Sequence, residues 1–380
     1  MRVLMVSDVY FPRINGVSTS IETFRGALAA RGTETRLVAP DYGDGSVAPG
    51  VVRVPARQVP GDAEDRLVHY RKMCRATRTA AADCDVIHIQ TPFAAHYAGQ
   101  GAARSLGRPV IATYHTLFEE YLQHYIPWLP ARVLRALARR FSASQCNGLD
   151  AVIVPSSAMR ERLQEYGVQR PIHVLPTGLP AAAFSPGDAL GFRARHGIAL
   201  ERPVALFVGR VAHEKNIAFL LEAVAHARHR LPDLLFLITG EGPARGDLER
   251  QTARLGLGEN VRFLGYLDRK QELPSAYAAA DAFVFASRTE TQGLVLLEAM
   301  AQRCPVVGLS VMGTADILEP RRGCRIAPDD PVGFAGVLVE LLNDPETCVR
   351  LGEQARIFAR EWSDQEMAGR LADLYRNLVA

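Results

Sequence analysis

Short runs rich in Val, Ile and Leu recur along the chain with helical stretches between them, and this alternation constrains the fold most. A first series comprises Val3–Val6, Thr35–Val38, Asp85–Gln90, Pro109–Thr113, Ala151–Pro155 and Ile172–Leu175, with helical spacing over Thr19–Arg31 and Pro130–Ser144. A second comprises Val204–Val208, Leu234–Thr239, Val261–Leu264, Ala282–Phe285, Pro305–Gly308 and Arg325–Ala327. Its helices are expected at Asn216–Arg230, Asp247–Leu255, Gly293–Arg303 and Pro331–Asn343. Near-continuous apolar strands must be covered on both faces, which means parallel sheets in an α/β, doubly wound fold. Two series mean two Rossmann-like domains, in keeping with 380 residues at ~150 per domain. Between the series, Pro176–Asp188 is rich in Pro, Gly and Ala and loses both periods, as a hinge would. The domains are therefore expected at residues 1–180 and 181–362.

Several function classes drop out. No apolar run approaches the ~20 residues of a membrane-spanning helix, and Met1–Asp8 reads as a first strand, too short for a secretory leader. The six cysteines are scattered without a C-x-x-C pair, which argues against a disulfide framework or a structural zinc and fits a reducing cytoplasmic setting. Residues 1–185 carry 21 Lys and Arg against 15 Asp and Glu, leaving 23 against 26 in the remainder. The first half is basic and the second mildly acidic, so different partners are expected. Nucleic acid is not among them, because overall charge is small and basic and aromatic residues do not interleave.

In open α/β sheets ligands collect beyond the C-terminal ends of strands, here in a cleft expected between the two domains. The strongest constellation there runs from Glu290 to Glu298, with Gly293 and Leu294 opening an apolar helix directly after a strand. Free amides at that helix start suit a phosphate. The two carboxylates can accept hydrogen bonds from hydroxyls on either side of it. Taken alone, two glutamates eight apart also describe a charged loop and a helix surface. The strand–loop–glycine–helix setting favours a site for a sugar–diphosphate–ribose ligand.

Gly209 and Arg210 follow the strand Val204–Val208, and Lys215 precedes a helix that Asn216 could cap. Two fixed cations would neutralise a departing diphosphate, the task a metal performs elsewhere, so no metal is expected. The loop Pro12–Val17, with Gly16, follows the first strand. It is not a G-x-G-x-x-G fingerprint, which removes the main support for a dinucleotide oxidoreductase. Thr113–Thr116 places His115 at a strand's C-terminal end, whereas His88 lies inside a strand and reads as a satisfied core residue. Asp83-Cys84-Asp85 sits at the wrong end of its strand for a ligand site and reads as turn chemistry.

Together these loops resemble family 4 of the retaining glycosyltransferases, which have the GT-B fold. Within that family Thr289–Leu294, Asp85–Phe93 and Tyr114–Leu122 are similar to the branch that glucosylates diacylglycerol. The resemblance implies that Arg210 and Lys215 hold the diphosphate, Glu290 the donor hexose and Glu298 the ribose. Gly293 and Leu294 would contact phosphate or sugar, Gly16 and Gly209 would line the donor pocket, and His115 would touch the hexose near the reaction centre. His115, Arg210, Lys215 and Glu290 are the catalytic candidates. The resemblance also implies a last helix, residues 363–380, crossing back to the N-terminal domain, and configuration retained at the anomeric carbon. The donor it favours is UDP-glucose and the acceptor a lipid, with no cofactor required. A GDP-mannose donor, a soluble or polyprenyl-linked acceptor, and a sugar-nucleotide binder or epimerase that transfers nothing remain as alternatives.

Arg132, Arg135, Arg139 and Arg140 recur at helical spacing after Trp128, opposite Leu129, Val133, Leu134, Leu137 and Phe141. That pattern suits a helix lying in an anionic membrane interface, with Arg66–Arg78 as a second basic surface. It also suits a surface helix whose apolar stripe packs on the sheet. The expected location is cytoplasmic, peripherally bound to the inner face of the membrane.

Overall fold

The computed structural model describes residues 1–43, 45, 48–59, 62–115 and 131–380. They divide into two compact units, Met1–Gly178 with Asp364–Ala380, and Leu179–Ser363.

The first unit holds β1 (Arg2–Val6), β2 (Glu34–Pro40), β3 (Val51–Val54), β4 (Ala56–Val59), β5 (Asp62–Val68), β6 (Val86–Ile89), β7 (Val110–Thr113), β8 (Ala151–Val154) and β9 (Ile172–Val174). Seven of these form a parallel sheet in the order β3-β2-β1-β6-β7-β8-β9, while β4 and β5 make a separate antiparallel pair. β6 and β8 are buried at every position, as strands covered on both faces must be. The edge strand β3 and the β4–β5 pair had no counterpart among the expected strands. Val51-Val52-Arg53-Val54 is short and half exposed, and β4 carries Arg57 and Gln58, so neither has the apolar run of a central strand.

The helix Asp364–Val379 belongs to this first unit. Its Met367, Ala368, Leu371, Ala372, Leu374 and Tyr375 join the core formed by β1, β2 and the helix Gly16–Ala29. His88 is buried as expected of a core histidine. Its Nδ1 lies 2.6 Å from the Tyr375 hydroxyl and its Nε2 2.7 Å from Thr113 Oγ1. Asp83 takes both guanidinium nitrogens of Arg36, at 2.6 and 3.0 Å, and Asp85 accepts the Arg2 amide at 2.8 Å. These aspartates are strand-start chemistry.

The second unit contains β10 (Val204–Val208), β11 (Leu235–Thr239), β12 (Val261–Gly265), β13 (Ala282–Phe285), β14 (Val306–Gly308) and β15 (Cys324–Ile326). They form one parallel sheet in the order β12-β11-β10-β13-β14-β15. β10, β11 and β13 are buried throughout, with Phe207, Phe236, Phe283 and Phe285 among the largest fully buried side chains. Strand order reverses between β1 and β6 in one sheet and between β10 and β13 in the other. Crevices for ligands open at such switch points, beyond the carboxyl ends of the strands. All six cysteines are free thiols.

Candidate active site

In the second unit the loops leaving β10 and β13 lie side by side because those strands are neighbours. Three contacts join them. Lys215 Nζ donates to Glu290 Oε1, with both side chains about four-fifths buried. Ser287 Oγ donates to the Glu214 carbonyl at 3.3 Å, and Asn216 Nδ2 donates to the Ala286 carbonyl at 3.1 Å. Asn216 was expected to cap the following helix through its side chain, and it does not. Its backbone is left-handed (φ 56°, ψ 35°), a conformation asparagine tolerates, and its amide serves the neighbouring strand instead.

Arg210 is two-thirds exposed, and its guanidinium meets Glu214 one turn on. Burial alone would raise the Glu214 carboxyl. Its own backbone amide and Arg210 outweigh that and hold it below the usual range. The site's cations are thus balanced by carboxylates of the chain itself.

The helix Leu294–Ala301 starts at Gly293, whose φ of 87° favours glycine and turns the chain from the Glu290 loop into the helix. That loop is also held from β14. The Gly313 amide donates to the Glu290 carbonyl at 2.8 Å, and a Cβ at Gly313 would stand 2.3 Å from the Thr291 carbonyl. Glu298, one turn into the helix, has both oxygens engaged. Tyr277 Oη donates to Oε2 at 2.9 Å and Arg269 to Oε1 at 3.3 Å. Burial raises the Glu298 carboxyl above its usual range, against the opposing pull of Arg269 and Tyr277. Gln302 bonds the Gly187 amide and the carbonyls of Ala183 and Ser185, tying this helix's end to the start of the unit.

Arg269, Tyr277, Gly313 and Gln302 stand in no sequence motif, whereas Glu214 lies in the Glu214-Lys215-Asn216 stretch but its carboxylate carries no sequence signal of its partner. Gly313 lies in a short 3-10 turn (Met312–Thr314) five residues past β14, a position that no strand-end pattern marks. Arg269 and Tyr277 lie 29 and 21 residues from Glu298, and no periodicity links them.

In the first unit Asn15 caps the helix Gly16–Ala29 in a reciprocal pair with Ser18. A Cβ at Gly16 would meet nothing within 4 Å, so packing within the chain does not demand glycine there. Asp8, just past β1, accepts from Thr91 Oγ1 at 2.7 Å and from the Ala95 amide at 3.1 Å, which joins the loops after β1 and β6. His115, past β7, stands 3.2 Å from Gln90 Oε1. Burial lowers its imidazole to about 4, so the ring is neutral near pH 7 and can both donate and accept.

On the helix Ala131–Asn147, Arg132, Arg139 and Arg140 are exposed, and Arg139 lies over the Tyr166 ring at 5.4 Å. Trp128, Leu129 and the side chains of Val133 and Arg135 lie outside the described residues. The single apolar face expected there is divided. Leu134 and Ala138 are buried, whereas Leu137 and Phe141 are exposed beside Arg140. The helix Tyr70–Ala81 likewise buries Met73, Thr77 and Ala80 and exposes Arg71, Lys72, Arg75 and Arg78. Exposed Tyr70, Phe93 and Tyr97 belong to this unit too. No helix among the described residues is long and apolar enough to cross a membrane.

Residues 14–182 match the family model described as Glycosyltransferase Family 4, and residues 191–358 that of Glycosyl transferases group 1. The chain is 34% identical over 323 residues to an alpha-monoglucosyldiacylglycerol synthase of Streptococcus pneumoniae, covering 81% of this chain and 70% of the relative. It is 31% identical to a GDP-mannose-dependent alpha-mannosyltransferase of Mycobacterium tuberculosis, over 86% of this chain and 84% of that one. Among solved structures, Anabaena HepE in complex with UDP superposes with a TM-score of 0.78 at 18% identity, over 99% of this chain and 100% of the other.

Proposed function

Because the chain belongs to glycosyltransferase family 4, with the GT-B fold, we propose that it moves glucose from UDP-glucose to a lipid acceptor such as diacylglycerol. The product is an α-glycoside. The observation that carries the donor site is the Lys215–Glu290 contact, set between the loops of one switch point and beside the helix start at Gly293. In this reading Arg210 and Lys215 hold the diphosphate, with Gly209 giving the strand end close approach. The amides of Gly293 and Leu294 face phosphate or sugar, and Glu290 and Glu298 accept from hexose and ribose hydroxyls.

Chemistry follows from that placement. The bond between the anomeric carbon and the diphosphate oxygen breaks, and its electron pair leaves with the diphosphate. The acceptor hydroxyl attacks the same face, and its proton passes to the departing phosphate oxygen. Arg210 and Lys215 stabilise the charge that develops, so a metal ion has no necessary task. The family resemblance also assigns His115, neutral and held by Gln90, to the hexose and Gly16 to the donor pocket.

The acceptor side of the proposal rests on the first unit's positive charge and on the name of the pneumococcal relative. The exposed Leu137, Phe141, Arg132, Arg139 and Arg140 of one helix, together with the helix Tyr70–Ala81, supply apolar and basic groups for an anionic membrane surface at its cytoplasmic face. A GDP-mannose donor is the second reading, favoured by the name of the mycobacterial relative. Purified protein incubated with each sugar nucleotide and a lipid extract, analysed by mass spectrometry and by NMR of the anomeric proton, separates the two. An α-glucosyl lipid formed from UDP-glucose, undiminished by chelator, is expected. A product made only from GDP-mannose, or no lipid product, overturns the first reading.

A further inference from the structure

Glu298 is a largely buried carboxylate with a partner on each oxygen. Its side chain is only 16% exposed, its Oε2 accepts from Tyr277 at 2.9 Å, and its Oε1 meets Arg269 at 3.3 Å. The two neighbours differ in kind. Arg269 stands on the loop after β12 with its side chain 59% exposed, so solvent screens it and its long side chain can move. Tyr277 comes from the helix Glu272–Ala279, is 2% exposed, and its ring lies 5.7 Å from that of Phe283 in the core strand β13. Burial and the adjacent Glu298 charge keep the phenol protonated well above its ordinary range, so it remains a donor.

A carboxylate has about four lone-pair directions, so one anchored by a single fixed donor keeps room for two hydroxyls. An unanchored carboxylate would have to lose rotational freedom each time a ligand bound, and in a buried site it would lack a compensating donor when empty. We propose that Tyr277 is a positioning residue: its hydroxyl fixes the Glu298 carboxylate so that it presents its free lone pairs to the vicinal diol of the donor's ribose. Arg269 is the movable partner that neutralises Glu298 while the site is empty. This inference rests on the donor-site reading of Glu298 given above.

The test compares Tyr277→Phe, Glu298→Ala and the double variant in the full chain, by steady-state kinetics with UDP-glucose and by calorimetric titration with UDP. The phenylalanine keeps the ring and its packing. A hydrogen bond to a charged group corresponds to roughly ten-fold in affinity, and that rise in donor KM and UDP Kd is expected, with kcat within about two-fold. Without its donor the Glu298 carboxyl is harder to ionise, so the acid limb of the KM profile moves to higher pH in Tyr277→Phe. On the Glu298→Ala background the same change adds nothing. If Glu298→Ala weakens UDP binding while Tyr277→Phe keeps wild-type KM and pH profile, the positioning role is wrong and the donor site stands. If Glu298→Ala itself leaves UDP binding unchanged, the donor-site reading fails and this inference with it.

Discussion

Lys215 and Glu290 are 75 residues apart in sequence, and their contact concentrates opposite charge in a partly buried spot. Pairs shielded in this way are screened less than surface pairs, and removing one partner leaves the other uncompensated. Both groups also meet the donor in the proposed reaction. Lys215→Ala and Glu290→Ala are therefore each expected to lower kcat by at least a hundred-fold, as lost transition-state electrostatics do. Circular dichroism should stay wild-type. Wild-type transfer by both purified variants would remove their assigned roles. The residue types at these positions were legible as chemistry because each follows a strand and precedes a helix. The pairings Arg210 with Glu214 and Tyr277 with Glu298 were not read, although Glu214 lies only four residues from Arg210. Arginine beside glutamate in a loop looks like ordinary solvated charge, and Tyr277 looks like ordinary core.

Among the elements, the loops at the β10–β13 switch point depend on a third, the turn after β14. Gly313 lets that turn lie against the Thr291 carbonyl. Gly313→Ala forces the two backbones apart, because a contact of 2.3 Å is far inside van der Waals separation. The Glu290 loop moves with it. Turnover is expected to fall about ten-fold or more, since an ångström of misplacement has that effect, while near-wild-type activity would mean the loop adapts. The helix Ala131–Asn147 shows where periodicity misleads. A 3.6-residue period places Leu134 and Leu137 on adjacent sides of the helix, and only packing decides which is covered. Leu134 went to the core and Leu137 to the surface. The double variant Arg132→Glu, Arg140→Glu reverses two exposed charges on this helix, which also exposes Leu137 and Phe141. Its co-sedimentation with phosphatidylglycerol vesicles is expected to fall several-fold at ~0.1 M salt, where surface charges still act over ~10 Å. Unchanged binding would free this helix from any membrane role.

Across the molecule, two buried histidines, His88 and His96, and the part-buried His115 tie stability to pH. Burial lowers His88 to about 3, His96 to about 4 and His115 to about 4, all in the first unit. An unfolded histidine takes up its proton near ~6.5. Between that pH and the folded values the unfolded chain binds more protons, so stability falls as pH falls through this window. Each histidine contributes up to ~1.4 kcal/mol per pH unit. The urea midpoint of the first unit's transition is expected to drop from pH 6.5 to 4.5, less steeply in His96→Gln. A midpoint flat over that range would contradict neutral buried rings.

The β10–β15 strands were all readable: β10, β11, β13 and β14 are covered on both faces and so apolar at nearly every position, while the edge strands β12 and β15 each keep a short apolar flank around one arginine. The glycines and charged residues just beyond them were readable as chemistry for the same reason: strand ends are where open α/β sheets bind ligands. The edge strand β3, the β4–β5 pair, the left-handed turn at Asn216 and the partners of Glu298 were decided only in three dimensions. Their stabilising contacts come from residues distant in the chain, or from backbone groups whose satisfaction no side-chain pattern records. Alternation set the fold class and the loops to inspect, and tertiary packing chose which donor meets which carboxylate.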